Sequence, residues 1–429
     1  MNRFAQGSRY LDQVSMNPSG LKLTEMKWEN IYTWNLGLRL HFFDDRLKFV
    51  VDLYRRTTKD MLMANAGIPS SNGWSALTYK NVGDMKNEGW EFQIDGERLL
   101  KKGKFYMDAY VNFANNRNVI TAMDPQILAG LNIDWTENNR SVLQRMQLNN
   151  PFGSIYGFKF KGVYMYNYDT ARRIVREDNR SNKANGTAVD RLQENLNKGW
   201  TYPIVLNADG TYVKDAQGDP IQTRFAYKTS SGNGYAFKGG DAIYEDVNND
   251  GNINQLDIMY LGNSLPRLTG GFGFTLHYDR LALRANFNYR IDYDILNMAR
   301  LDMESMISNN NQSEAVNYRW RKEGDITSIP RAMFGNGSNY NTLISDRFVE
   351  DGTFLRLNFL QLSYSFDPKK LKKWHMSTLS FYASANNLFC LTKYSGVDPE
   401  IGYGGYGVTT DGSQTPRSKS YTVGLTIGF

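Results

Sequence analysis

The chain has 429 residues, 41% of them hydrophobic, and is long enough for two or three soluble domains or for one large sheet closed on itself. Its mean hydropathy is low, its charges are spread throughout, and no run approaches about 18 consecutive apolar residues, which excludes helical membrane spans. The net charge of +6 comes without a basic cluster in a recognisable binding motif, so no nucleic-acid partner is indicated.

Aromatic residues make up 14% of the chain, which suits a membrane barrel with an aromatic girdle at each interface. Because only alternate side chains of a barrel strand face lipid, low hydropathy is compatible with such a barrel. A tyrosine-rich soluble β-sandwich fits the composition equally well. The single cysteine, Cys390, excludes a disulfide within the chain and any site built from several cysteines.

Alternation of apolar and polar residues predicts β-strands in chain order, most of them in pairs joined by short turns. The nine predicted strands are 30–43, 46–57, 88–99, 104–117, 268–279, 281–292, 353–366, 376–388 and 420–429. In the sixth strand the polar side carries Arg284, Arg290 and Asp292, which suit a water-filled lumen better than a dry core. The GGFGF stretch at 270–274 indicates close strand packing or a bend. A slip of the apolar phase between Phe359 and Leu360 predicts a β-bulge.

The last strand has the clearest alternation of the nine. Its apolar residues are Tyr421, Val423, Leu425, Ile427 and Phe429, with small or polar residues between them. Bacterial outer-membrane barrels commonly end in a strand of this kind, with a terminal aromatic residue. The segment therefore favours a transmembrane barrel over a sandwich.

Long segments rich in Asn, Gly, Ser and Tyr separate the hairpins, at 58–87, 118–267, 293–352 and 389–418. In outer-membrane barrels the short turns are periplasmic and the long loops extracellular, so residue 429 is expected in the periplasm. Nine strands cannot close an even-numbered barrel, and an open edge in lipid leaves backbone groups unpaired. The segment MNRFAQGSRYLDQ does not resemble a secretory signal, so either the true N-terminus lies upstream or the membrane interpretation is wrong. The odd strand count favours the first alternative, with further strands expected upstream.

Seven segments along the chain resemble SusC/RagA-type TonB-dependent outer-membrane transporters of Bacteroidetes. They are YRRTTKDML (54–62), NVGDMKNEGWEF (81–92), GSIYGFKFKGVY (153–164), GDAIYEDVNNDGNIN (240–254), VEDGTFLRL (349–357), NNLFCLTKYSGVDPE (386–400) and PRSKSYTVGLTIGF (416–429). In that family these segments lie in the C-terminal part of a barrel of about 22 strands. The resemblance implies that 1–429 is a partial, all-β antiparallel barrel domain without the family's plug domain.

The resemblance also implies a function in the bacterial outer membrane. The chain is expected to import large nutrients, either oligosaccharides or peptides. The partners it implies are a SusD-like lipoprotein lid, an N-terminal barrel and plug portion in the same or a separate chain, the TonB complex acting through that portion, and outer-membrane lipid. The alternatives are a passive porin or structural outer-membrane protein and, less favoured because of the last strand, a secreted carbohydrate-binding β-protein.

Residues 246–257 form the sharpest local motif, a candidate calcium loop with glycine at its sixth position. Its candidate metal ligands are Asp246, Asn248, Asp250, Asn252, Asn254 and Asp257. Asp at the twelfth position in place of Glu weakens the match, and such a turn can also hold itself together through Asx hydrogen bonds without an ion. Calcium is the only cofactor that the sequence suggests.

No catalytic constellation is present in the sequence: the three histidines are far apart and no HExxH motif occurs, so no enzyme is expected. Aromatic side chains in the predicted outer loops are candidates for stacking on a substrate. These candidates are Trp74, Trp200, Trp320, Tyr403 and Tyr406. The alternative is that they form loop cores or contact the lid protein.

Overall fold

Nine long strands form one antiparallel sheet in the computed structural model, which describes residues 4–10, 13–18, 26–67, 76–132, 146–181, 197–207, 209–226, 234–334, 340–404 and 407–429. The strands are β1 (Asn30–Phe42), β2 (Leu47–Gly67), β3 (Ala76–Lys102), β4 (Phe105–Met123), β5 (Leu268–Tyr278), β6 (Leu281–Ile291), β7 (Phe354–Ser365), β8 (Thr378–Thr392) and β9 (Ser420–Gly428). Each strand pairs with the next along the chain. The predicted fold class, an antiparallel sheet of nine barrel strands, is confirmed.

Three strands are longer than the alternation predicts, so most of the predicted loop 58–87 is strand. β2 continues to Gly67, β3 begins at Ala76 and β4 continues to Met123. Register shifts around Met61 and between Asp84 and Met85 interrupt the period of two, which is why the pattern fails there. Helix α1 (Pro125–Leu131) packs on these extensions in a small cluster containing Met61, Met63, Val82, Met123 and Ile127.

The bulge in β7 lies at Asn358, one residue before the predicted position. Leu357 pairs with Phe287 of β6 and Phe359 pairs with Asn286, so Asn358 has no partner on that side. Because of this extra residue, the apolar positions of β7 have odd numbers up to Leu357 and even numbers from Leu360 onward. Leu357 and Leu360 therefore lie on the same face of the sheet.

The long segments between hairpins are folded rather than extended loops. Their short strands pair as Ser154–Gly157 with Met259–Asn263, Phe160–Val163 with Ala242–Tyr244, Arg224–Phe225 with both Tyr235–Ala236 and Asn252–Ile253, and Asp294–Asn297 with both Val349–Asp351 and Thr410–Asp411. A separate hairpin, Phe4–Tyr10 paired with Gln13–Pro18, precedes β1. The further helices are α2 (Tyr168–Ser181), α3 (Met298–Met303) and α4 (Pro368–Leu371), with 3₁₀ turns at Gln255–Asp257, Glu314–Tyr318, Asp346–Phe348 and Lys372–Trp374. No helix in the described ranges is long and apolar enough to cross a membrane.

Most of the deeply buried side chains of the described residues lie in these segments, although Phe354 of β7 is also fully buried. We call the described parts of residues 146–267, 293–352 and 393–419 the loop module. Its largest cluster contains Phe158, Phe225 and Phe237, each with no exposed surface. A second cluster around Leu296 and Phe348 joins three parts of the loop module. The loop module therefore has the hydrophobic core of a soluble domain.

Gly270 in β5 allows Tyr289 of β6 to reach across the strand. The Tyr289 hydroxyl donates to the backbone oxygen of Asn112 in β4, at 2.7 Å. A Cβ atom at position 270 would lie 2.1 Å from that oxygen and 2.6 Å from the hydroxyl. The GGFGF stretch is therefore a place of close strand packing, as its composition predicts.

We expect Gly270→Ala to destabilise the sheet by about 1–3 kcal/mol, because the added methyl group overpacks the site and displaces the tyrosine. Thermal unfolding followed by circular dichroism measures this effect. Gly412→Ala is the matched control, since position 412 has open space for a Cβ atom. Equal melting temperatures for the two variants would contradict the account.

Candidate functional site

One face of the nine-stranded sheet is apolar across almost its whole width. The paired residues of one row across β1 to β8 are Leu40, Phe49, Ile94, Val111, Phe272, Phe287, Leu357 and Phe389. Phe272 and Phe287 stack with their ring centroids 4.6 Å apart. On the edge strands this face is open, with Leu36 54% and Val423 82% exposed. An exposed apolar surface of this extent marks contact with lipid or with a partner.

The opposite face is polar along equally well-paired rows. One row, from β4 to β9, consists of Asp108, Thr275, Arg284, Gln361, Ser384 and Thr422. A cavity of about 280 Å³ on this face is lined by Lys48, Asp95, Asp108 and Arg284, among others. Water on this side and lipid on the other is the environment that such a sheet requires.

A buried arginine joins the sheet to the loop module. Arg356 in β7 is 4% exposed, and its Nη2 donates to Asp398 Oδ1 at 2.5 Å. Its Nε lies 3.2 Å from Glu400 Oε2, and Arg417 reaches the other oxygen of Glu400 at 3.0 Å. Because a buried guanidinium needs carboxylate partners, this cluster holds residues 398–417 against the end of the sheet.

A second network of charged side chains lies within the loop module. Arg300 of α3 donates to Glu304 at 2.9 Å and to Glu350 at 3.0 Å, and Arg347 donates to Glu304 at 2.5 Å. Glu350 also accepts from the backbone N–H and the hydroxyl of Ser395, at 2.9 Å each. Burial raises the pKa of Glu350, but these hydrogen bonds outweigh it and hold the pKa below its usual value.

The third network lies inside the loop module, around the fully buried Asp241. Arg331 Nε donates to Asp241 Oδ1 at 2.6 Å, and the Tyr235 hydroxyl donates to Oδ2 at 2.7 Å. Tyr235 stacks on Tyr340 with centroids 4.0 Å apart. Sequence inspection did not single out these three networks. However, Asp241, Glu350, Arg356, Asp398 and Glu400 all lie in segments that carry the family resemblance.

The candidate calcium loop is closed by its own hydrogen bonds. Asp246 accepts from the backbone N–H of Gly251 at 2.7 Å, and Asp250 accepts from that of Asn252 at 2.7 Å. Asp257 is fully buried and accepts from the backbone N–H groups of Val247 and Asn254, at 2.9 and 2.8 Å. Burial raises the pKa of Asp257 to about 6.

Of the three remaining candidate ligands, Asn248 and Asn254 also accept from nearby backbone N–H groups, and the side-chain amide of Asn252 donates to the Asp250 carbonyl at 3.3 Å. Gly251 at the sixth position has φ +84°, and a Cβ atom there would lie 2.8 Å from Val205 Cγ2, so the turn requires glycine. The described residues contain no group of three or more His, Cys, Asp or Glu side chains arranged to hold a metal. Calcium binding, which would add the asparagine oxygens to the carboxylates, stays a prediction.

Among the candidate stacking residues, Trp74 and Tyr406 lie outside the described residues. Trp200 packs edge-on against Tyr166, with ring centroids 6.0 Å apart. The Trp320 indole lies against Gly240 and donates to the Met165 carbonyl at 3.3 Å. These two indoles form part of the loop core. Tyr403 is 47% exposed with the Arg290 guanidinium 5.8 Å from its ring centroid, so its ring is accessible.

Comparison with known proteins gives the class of this fold. Residues 4–212 match the family model described as TonB dependent receptor-like, beta-barrel. TonB-dependent receptor P39 of Formosa agariphila is 28% identical over 417 residues, which cover 94% of this chain and 36% of that protein. TonB-dependent receptor SusC of Bacteroides thetaiotaomicron is 25% identical over 416 residues, covering 94% and 32%. The chain thus spans about a third of the length of these relatives.

Solved structures support the same fold. The structure of the RagAB peptide transporter matches with a TM-score of 0.63 and 22% identity, covering all of this chain and 38% of that one. The RagAB peptide importer in its open-open state matches with a TM-score of 0.64 and 21% identity, with the same coverage. The two-faced sheet and these matches show the barrel fold of TonB-dependent receptors. The chain is similar to SusC/RagA-type receptors along almost its whole length, as its seven motifs indicated.

We expect the double substitution Asp398→Asn, Glu400→Gln to loosen residues 393–419, because it leaves the Arg356 charge buried without a carboxylate. Breaking a buried ion pair in this way costs about 3–5 kcal/mol. Hydrogen exchange read by mass spectrometry measures the loss as faster exchange in that segment.

Glu245→Gln serves as the control, since the side chains of the Lys161–Glu245 pair, 3.1 Å apart, keep 49% and 37% of their surface exposed. An exposed pair contributes at most about 1 kcal/mol, so exchange should barely change. If the double variant exchanged no faster than this control, Arg356 would not be what holds the segment.

For calcium, we expect terbium luminescence sensitised by neighbouring aromatic rings and displaced by calcium. Asp246→Asn combined with Asp250→Asn should abolish it, because both substitutions remove carboxylate charge from the loop. Asp215→Asn is the matched control: Asp215 also closes its own turn, by accepting from Gln217 and Asp219. Equal luminescence from the double variant and the control would rule out a site at residues 246–257.

Proposed function

We propose that the chain forms part of the wall and the outer loops of a TonB-dependent outer-membrane importer. The cargo would be large nutrients, oligosaccharides or peptides, and the partner a SusD-like lipoprotein. Relatedness to SusC and to the RagAB peptide transporter supports the class of activity. The observation that carries the proposal is the two-faced sheet, because its apolar rows need lipid and its polar rows need water.

The orientation that we propose follows from the lengths of the connections. The turns at the β1–β2, β3–β4, β5–β6 and β7–β8 hairpins are short, and the loop module is attached at the opposite strand ends. Outer-membrane barrels place short turns in the periplasm and long loops outside the cell. The loop module would then surround the mouth of the barrel, where a lid protein can bind to its folded surface.

The edge strands β1 and β9 indicate how the barrel is completed. Within the described part of the chain, each pairs with a neighbour on one side only. In lipid, an unpaired strand edge leaves backbone N–H and C=O groups without partners. We propose that further strands and a plug from the rest of the receptor close the barrel, which fits a chain about a third as long as its relatives.

Growth and uptake experiments test the transport proposal. Deletion of TonB should abolish uptake of the oligosaccharide or peptide that the receptor imports, and tagged receptor should co-purify with a lipoprotein from outer membranes. Uptake that continues without TonB, at a rate proportional to substrate concentration, would instead support a passive porin. Mass spectrometry of the purified complex identifies the lid and any retained cargo.

We expect Phe287→Lys to prevent stable membrane assembly. Its side chain lies in the middle of the apolar row, where a charge in the bilayer costs about 2–4 kcal/mol. The control Ser384→Lys lies on the polar face of β8 between the neutral side chains Gln361 and Thr422 and should assemble normally. The measurement is the amount of receptor in outer-membrane fractions that resists extraction by urea. Similar assembly of both variants would contradict the assignment of the two faces.

A further inference from the structure

The hairpin turns concentrate positive charge at one end of the sheet. We define the turn rim as residues 43–46, 101–104, 279–280 and 366–377, which connect the four hairpins. Its side chains include nine Lys or Arg and four Asp, a net charge of +5 in a chain whose total is +6. The remaining 407 residues are therefore nearly neutral overall, so the charge asymmetry of the chain is located at this rim.

Most of this charge is not neutralised within the chain. Two cations of the turn rim are paired: Lys104 with Asp279 at 3.1 Å, and Arg280 with Asp367 at 2.8 Å. Six lysines are exposed and have no carboxylate partner in the described ranges. These are Lys101, Lys102, Lys369, Lys370, Lys372 and Lys373. Four of the six lie within five consecutive positions of a single turn.

The backbone of that turn is held in place, although its lysines are exposed. Asp367 caps α4 by accepting from the backbone N–H of Lys369 at 2.9 Å. Leu371 is 1% exposed and anchors the turn, and its carbonyl accepts from the N–H of Met376 at 3.2 Å. The lysines are thus presented from a fixed platform, and little backbone entropy is lost when they bind.

The apolar face of the sheet ends directly beside these charges. Tyr364 and Phe381 pair across β7 and β8 on that face, and Phe366 packs edge-on against both, at 5.0 and 5.9 Å. Trp374, within the lysine-rich turn, is 64% exposed. Aromatic rings at the end of an apolar band, followed at once by lysines, match the order of acyl chain, interface and phosphate in a bilayer.

We propose that the turn rim binds the anionic headgroups of phospholipids in the leaflet on its side of the membrane. The proposal rests on the proposed function, since it requires the apolar face to lie in a bilayer. A phospholipid fits both features at once: its acyl chains cover the aromatic end of the band and its phosphate meets the lysine ammonium groups. A soluble acidic protein would use the charge but leave the adjoining aromatic rings uncovered.

The test measures which lipids surround the receptor. Receptor carrying this chain is purified from outer membranes and placed in nanodiscs of phosphatidylcholine and phosphatidylglycerol. The receptor is then released from the nanodiscs in the mass spectrometer, and native mass spectrometry counts the lipids that stay bound to it. The test variant is K369Q/K370Q/K372Q/K373Q. The control, K214Q/K322Q/K393Q/K419Q, removes the same charge from exposed lysines at the loop end of the sheet.

We expect wild type and control to retain phosphatidylglycerol above its share of the mixture. In the test variant this enrichment of phosphatidylglycerol over phosphatidylcholine should fall about tenfold. Lys-to-Arg replacement at the same four positions should restore it. No enrichment in wild type, an equal loss in both glutamine variants, or competition by soluble polyglutamate as strong as by phosphatidylglycerol would overturn the proposal. Failure of wild type to enter nanodiscs would instead overturn the proposed membrane function.

Discussion

The structure depends on one constraint, the placement of apolar and polar side chains on opposite faces, which stays aligned across nine hydrogen-bonded strands. A shift of one residue in any strand would turn its apolar side chains to the polar face. The bulges preserve this alignment. Between one apolar row and the next, β6 advances from Phe287 to Ala285, whereas β7 advances from Leu357 to Leu360. In β8 the same step runs from Phe389 to Ala385, through Asn387 in the left-handed conformation. The apolar face therefore stays continuous although β7 and β8 are irregular.

This register leaves the sheet without a core of its own, and the loop module supplies the buried contacts. The fully buried aromatic side chains lie mainly in the loops, and the buried Arg356 joins the two parts through Asp398 and Glu400. A wall with lipid on one side and water on the other needs no interior, because closure of backbone hydrogen bonds holds it together. A folded loop module above such a wall needs a firm attachment, which these ion pairs provide.

Local alternation was enough to predict the strands wherever one face meets a uniform environment. It failed where β2 and β3 extend beyond the apolar band, because register shifts near Met61 break the pattern. It also could not reveal the loop networks, whose members are far apart in sequence: Arg331 and Asp241 are separated by 90 residues. Trp200 and Trp320 illustrate the same limit of sequence-based prediction. An aromatic residue in a polar segment has the same sequence context whether it stacks on a ligand or packs in a loop core.

The most direct test of the two-faced sheet is a spin-label scan along β6 in liposomes, after replacement of the native cysteine by Cys390→Ser. Labels at 283, 285 and 287 should collide more with oxygen, which concentrates in lipid, and labels at 284, 286 and 288 more with a water-soluble nickel reagent. If lipid and water face opposite sides of the sheet, the two accessibilities alternate in opposite phase with a period of two residues. Uniform accessibility to the nickel reagent at all six positions would contradict it.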